Sequence, residues 1–202
     1  MKKQKQKPTE SFSAKTAGVL KVDNKDAHLV LAHMYVAFIA LLLGATAGLL
    51  QVLVRSGYFE LPAPLGYYQI LTIHGVLLAL VFTTFFILGF QTAAVSRTSG
   101  ALSDTQRILG WIGFWLMTIG TIMATIMILL NEASVLYTFY APLKAHWIFY
   151  LGLALLIIGS WVDLMGHCLR WQQWRKENPR KTTPLIQHFG HENLIVTELF
   201  AH

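Results

Sequence analysis

One stretch of this sequence carries no charged side chain from Tyr67 to Gln91. It is longer than the ~20 apolar residues that a helix needs to cross the hydrocarbon core of a bilayer. Because lipid offers the backbone no hydrogen-bond partner, a spanning segment of this kind folds as a helix. The stretch therefore predicts a transmembrane helix, and the chain is predicted to be an integral membrane protein.

The composition supports this prediction. Hydrophobic residues make up 54% of the chain and charged residues only 13%, against about 25% charged residues in soluble domains. We predict an all-α, polytopic membrane protein with four transmembrane helices. Their predicted spans are residues 29–54, 67–91, 108–130 and 147–169. This membrane domain, 29–169, lies between a basic N-terminal segment (1–28) and a basic loop and tail (170–202).

The distribution of Lys and Arg predicts the orientation. With the N-terminus inside, the inner segments hold seven Lys before residue 26, then Arg97 and Arg107, then five Lys and Arg after the fourth span. The outer loops hold only Arg55 and Lys144. Since positive residues favour the cytoplasmic side, both termini are predicted to be cytoplasmic. Charge confined to segments that flank the spans also argues against a nucleic-acid partner, and the single Cys168 excludes an internal disulfide.

His74 lies about two turns inside the uncharged stretch. An ionisable side chain at this depth is a candidate functional residue. From the residues alone three uses are open: a hydrogen bond to a neighbouring helix, a place in a proton or substrate pathway, or axial ligation of a haem iron. A haem needs a flat apolar slot, for which Gly75 on the same helix and Gly44 and Gly48 in the first span leave room. The same small residues suit helix packing.

Other polar residues near the span ends are predicted at the membrane interfaces. His28 and His33 are expected at the cytoplasmic entrance of the first span. Asp163 and His167 are expected to reach the interface at the inner end of the fourth.

The tail from residue 182 to 202 is predicted not to cross the membrane, because Glu192 and Glu198 interrupt its apolar residues. His188 and His191 stand three residues apart, a spacing at which two histidines on a helix can share a metal. Scattered histidines in a solvated tail are the simpler interpretation.

Two segments resemble a known family. Residues 67–77 read YYQILTIHGVL, and residues 131–147 read NEASVLYTFYAPLKAHW. Together they resemble subunit I of haem-copper oxygen reductases, more narrowly the B family of ba-type cytochrome c oxidases. The resemblance covers about residues 27–187. It implies that His74 is an axial ligand of the low-spin haem, of b or a type.

The resemblance also implies the surroundings of that haem and the role of the whole enzyme. Gly44, Gly48 and Gly75, with Tyr137 and Tyr140 of the second external loop, are expected in its vicinity. In the intact enzyme electrons pass from cytochrome c through subunit II to the low-spin haem. They then reach a high-spin haem and copper, where oxygen is reduced to water with proton pumping.

The implied partners are subunit II, the remaining part of subunit I, cytochrome c and the lipid bilayer, in a bacterial plasma membrane. Ligands for copper and the high-spin haem are expected further along the polypeptide. The chain therefore resembles a truncated or frameshifted N-terminal part of subunit I, inactive alone, that departs from the family from about His188. One rival interpretation is a non-enzymatic assembly or transport subunit in which His74 is structural. Another is a small di-haem cytochrome, which would need paired intramembrane histidines.

Overall fold

The computed structural model describes residues 22–58, 60–62, 65–133 and 144–179. These residues form four long helices and, besides them, one isolated β-bridge between Ala133 and Ala145. The helices are α1 (Asn24–Arg55), α2 (Tyr67–Ser99), α3 (Asp104–Leu129) and α4 (Trp147–Glu177). Each is long and apolar enough to cross a membrane. The predicted all-α fold with four membrane helices is confirmed.

Polar caps set where three of the helices begin. Asp23 caps α1 by accepting a hydrogen bond from a backbone N–H of the first turn. Ser103 caps α3 and forms a capping box with Gln106, and the ring of His146 caps α4. Such caps satisfy backbone N–H groups that have no partner inside the helix.

The helices continue beyond the predicted spans at the end of the bundle where α1 begins. The first helix starts at 24 rather than 29, the second ends at 99 rather than 91, and the fourth ends at 177 rather than 169. Hydropathy marks only the apolar part of each helix, whereas the backbone remains helical into the polar flanks. We call this end of the bundle, where α1 and α3 begin and α2 and α4 end, the α1-start end.

Packing inside the bundle corrects three predictions. His33, Asp163 and His167 were expected at the interface, but they are 0%, 1% and 3% exposed. The prediction was wrong because the faces of α1 and α4 that carry these side chains pack against α2 and α3. His28, by contrast, is exposed and its ring contacts the Asn24 carbonyl.

Helix α2 is not uniform along its length. It is α-helical over Tyr67–Gly75, π-helical over Val76–Phe82 and α-helical again over Thr83–Ser99. π-helical segments are rare and frequently occur at functional sites. Here the segment starts two residues after His74.

Helices α3 and α4 approach each other closely through glycines. A Cβ atom added at Gly113 would lie 2.6 Å from the Gly159 carbonyl oxygen, and one at Gly152 would lie 2.5 Å from that of Gly120. Small residues of this kind let membrane helices pack backbone to backbone. Helix α1 packs against α2, and the buried side chains of Phe85, Phe114, Met117 and Phe149 fill the space between the helices.

Candidate functional site

The ring of His74 forms a hydrogen bond to the neighbouring helix. Its Nδ1 lies 2.8 Å from the carbonyl oxygen of Gly44 in α1. Because a carbonyl oxygen can only accept, Nδ1 carries the proton and donates it. The neutral ring then has its lone pair on Nε2, for which the described residues provide no hydrogen-bond donor. This is the tautomer that can bind a metal through Nε2.

Two glycines of α1 make room for this ring and for the next turn of α2. A Cβ atom at Gly48 would lie 2.6 Å from both Cε1 and Nδ1 of His74. One at Gly44 would lie 2.7 Å from Cδ2 of Leu78. The small-residue face predicted in the first span is therefore occupied by His74 and the residues that follow it. Gly75 is also buried, at the end of the first α-helical part of α2.

The start of α2 is held in place by amide side chains. Nε2 of Gln69 donates to the Ile128 carbonyl at 3.1 Å, and Oε1 of Gln69 accepts from the N–H of Gly66 at 2.7 Å. Gln51 of α1 donates to the Tyr67 hydroxyl at 3.2 Å. These bonds connect the first turns of α2 to α1 and to the end of α3. They therefore fix the position of His74 along the bundle. Sequence reasoning missed Gln69, although an amide inside an apolar stretch signals a buried hydrogen bond.

This arrangement fits an axial haem ligand. Metal-bound histidines almost always donate their other ring N–H to a carbonyl or carboxylate, which fixes ring orientation and tautomer. The Gly44 carbonyl is such an acceptor. Among the described residues no three His, Cys, Asp or Glu side chains converge on a point that could hold a metal ion. The geometry therefore favours a group that needs one ligand from this part of the chain, as haem iron does.

The buried carboxylate of Asp26, at the α1-start end, has the hydrogen bonds of a structural group. Oδ1 of Asp26 accepts from Arg107, with Nε at 3.0 Å. Oδ2 accepts from the Ser96 hydroxyl at 2.8 Å and from the N–H of Leu102 at 3.0 Å. Every acceptor of this buried carboxylate is in use. It connects α1, α2 and the start of α3.

Comparison with known proteins identifies the family. The sequence profile described as "Cytochrome C and Quinol oxidase polypeptide I" matches residues 28–197. The chain belongs to this family. A curated relative, cytochrome c oxidase subunit 1 of Thermus thermophilus, is 36% identical over 165 residues, which cover 78% of this chain and 29% of the relative.

A solved structure supports the same family. The cryo-EM structure of a haem-copper terminal oxidase dimer contains a chain that is 38% identical, with a TM-score of 0.72. The match covers 86% of this chain and 30% of that chain. The predicted membership of the subunit I family of haem-copper oxidases is confirmed, and with it a multi-pass membrane protein. The chain spans about 30% of the length of these relatives.

The comparisons give no role to individual residues. The roles of His74, Gly44, Gly48 and Gly75 at a haem stay predictions. Tyr137 and Tyr140, with the histidines of the tail, lie outside the described residues. The family match continues through residue 197, past the position where the sequence was expected to depart from the family.

Proposed function

We propose that this chain supplies one axial ligand, Nε2 of His74, to the low-spin haem of a cytochrome c oxidase. The observation that carries the proposal is the hydrogen bond from Nδ1 of His74 to the Gly44 carbonyl. It leaves Nε2 as the free donor atom of a neutral imidazole. Membership of the family supports haem as the group that this nitrogen binds.

Each residue of the site has a distinct task in this proposal. His74 binds the iron, the Gly44 carbonyl orients the ring, and Gly48 leaves the space that the ring occupies. Gly75, Tyr137 and Tyr140 are proposed to lie in the vicinity of the haem. When bound, the haem supplies a one-electron carrier between cytochrome c and the site of oxygen reduction.

The remaining chemistry is assigned to other parts of the enzyme. We propose that subunit II and the rest of subunit I complete the complex, and that ligands for the high-spin haem and copper come from the latter. Oxygen reduction coupled to proton pumping would then belong to the assembled oxidase in a bacterial plasma membrane. We assign only His74 of this chain to the iron, so we expect residues 1–202 by themselves to bind haem weakly and to be inactive.

The test is His74→Ala in the oxidase that contains this chain. Because ligation and membrane insertion depend on different residues, we expect loss of the low-spin haem absorption band with all four helices still inserted. His146→Ala is the matched control: this histidine caps α4 and is not assigned to iron, so the band should be retained. A full band in His74→Ala would refute the proposal and show that another residue ligates the low-spin haem.

Gly48→Ala provides a second variant that keeps the histidine. The added methyl group would lie 2.6 Å from the ring and must displace it. We expect a weakened and shifted haem band. Gly66→Ala is the control, since its Cβ meets only Oε1 of Gln69 at 3.7 Å, an ordinary contact. An unchanged band in both variants would show that haem binding does not depend on the position of the His74 ring.

A further inference from the structure

Three buried titratable side chains lie together in the half of the bundle nearer the α1-start end. They are His33 of α1 and Asp163 and His167 of α4, exposed by 0%, 1% and 3%. The cluster is remote from the proposed haem site. Along α1, Gly44 lies eleven residues beyond His33, or about 16 Å at ~1.5 Å per residue.

The hydrogen bonds of His33 fix its tautomer. Nδ1 of His33 lies 2.9 Å from the Leu29 carbonyl oxygen. Since the carbonyl only accepts, Nδ1 carries the proton, and the neutral ring has a lone pair on Nε2. This Nε2 lies 3.5 Å from Oδ2 of Asp163. Neither atom has a hydrogen-bond partner among the described residues. A lone pair and a carboxylate oxygen repel each other, so a proton between the two atoms would stabilise the pair.

The carboxyl group of Asp163 has no other support among the described residues. Neither of its oxygens accepts a hydrogen bond there. On α3 it faces glycines: a Cβ atom at Gly110 would lie 3.1 Å from Oδ1, and one at Gly113 would lie 2.8 Å from Cβ of Asp163. Arg107, the basic residue at the start of α3, is bound to Asp26 instead. Two buried aspartates in one bundle thus differ: Asp26 is fully satisfied, and Asp163 lacks a donor.

His167, one turn further along α4, is the third buried titratable side chain of the cluster. The Thr92 hydroxyl donates to the Leu88 carbonyl at 2.8 Å, so towards His167 it can only accept. The proton in their 2.9 Å contact therefore belongs to Nε2 of His167. Nδ1 then carries the lone pair, and no described residue donates to it. His167 follows Asp163 by four residues on α4, which places both on the same face of the helix.

We propose that His33 and Asp163 form a proton-binding site, with one proton held between Nε2 and Oδ2. The proton lies on the carboxyl group, because two opposite buried charges cost more desolvation than a neutral pair. The bound proton exchanges with water, and this exchange does not involve the haem ligand.

Polar residues lead from this site towards the α1-start end. On α2, Ser96 follows Thr92 by one turn and donates to Asp26. Both Thr92 and Ser96 are buried. Asp26, which accepts this hydrogen bond, also binds Arg107 of α3. We therefore expect the bound proton to exchange with water from the α1-start end.

Infrared spectroscopy of the 202-residue chain in lipid nanodiscs tests the proposal. A protonated carboxyl group has a C=O stretching band separate from that of a carboxylate. We expect such a band, shifted in D2O, to be lost in Asp163→Asn and to change frequency in His33→Gln, which replaces the imidazole acceptor by an amide oxygen.

Asp104→Asn is the matched control, because this aspartate is 86% exposed and its removal should leave the band unchanged. Should Asp163→Asn fail to insert, the frequency change in His33→Gln decides. The proposal is overturned if the unaltered chain shows no such band, if the band persists in Asp163→Asn, or if His33→Gln leaves its frequency unchanged. Because none of these spectra requires haem, failure here is distinct from failure of the His74 proposal.

Discussion

At the scale of single residues, Arg107 shows how position decides the value of an ion pair. Its guanidinium contacts Asp26 at 3.0 Å and Asp104 at 2.8 Å. Asp26 is fully buried and belongs to another helix, whereas Asp104 is 86% exposed and lies three residues away on α3. Water and salt screen an exposed pair of this kind, so it contributes little to stability.

We therefore expect Asp26→Asn to destabilise the bundle far more than Asp104→Asn. Breaking a buried pair costs ~3–5 kcal/mol, and the lower end applies because Arg107 keeps its bonds to Asp104 and to the Leu102 carbonyl. Asp104→Asn should cost at most ~1 kcal/mol. The free energy of unfolding in mixed detergent micelles, obtained by titration with a denaturing detergent, measures both. Equal losses would mean that Asp26 is not the structural carboxylate described above.

The sequence predicts single residues well where polarity contrasts with the surroundings. His74 was found because it stands alone among uncharged residues, and its hydrogen bond to Gly44 uses the predicted small-residue face. His33 and Asp163 were misplaced because flanking polar residues resemble an interface in a hydropathy profile. Their burial depends on which faces of separate helices pack together, and this is a tertiary property.

At the scale of elements, the close approach of α3 and α4 follows a regular pattern. Gly113 and Gly120 on α3, like Gly152 and Gly159 on α4, are spaced by seven residues, two turns of a helix. This repeat could have been used to predict the pairing. The π-helical segment of α2 could not have been predicted, since its apolar residues would fit an α-helix equally well.

Gly159→Ala should weaken this helix pair. The new methyl group would lie 2.7 Å from the Gly113 carbonyl oxygen and 2.9 Å from the backbone nitrogen of Met117, so the backbones must separate. Overpacking of this kind costs ~1–3 kcal/mol. Ile158→Ala, one residue away and 47% exposed, is the control and should change stability much less. The melting temperature in detergent distinguishes the two, and a larger loss in Ile158→Ala would contradict the glycine contact.

At the scale of the whole molecule, the bundle separates two kinds of site. The proposed haem ligand lies two turns from the start of α2, and the proposed proton-binding site lies in the half nearer the α1-start end. The same end carries most of the basic residues of the described chain, including Arg97, Arg107 and Arg170. Arg170 also donates to the carbonyls of Ser99 and Gly100, so this charge helps to hold α2 against α4.

This asymmetry leads to the prediction that the α1-start end faces the cytoplasm. An excess of Lys and Arg near helix ends sets the orientation, and the predicted four-span topology assigns fourteen of them to one side and two to the other. Cys168 is exposed and is first replaced by Ala. Ser56→Cys, in the loop after α1, and Ala101→Cys, between α2 and α3, are then labelled in intact cells with a membrane-impermeant thiol reagent. Both positions are exposed in the fold, so access depends only on the side of the membrane. We expect rapid labelling at 56 and labelling at 101 only after the membrane is opened; the reverse pattern would invert the orientation and place the proposed haem site on the cytoplasmic side.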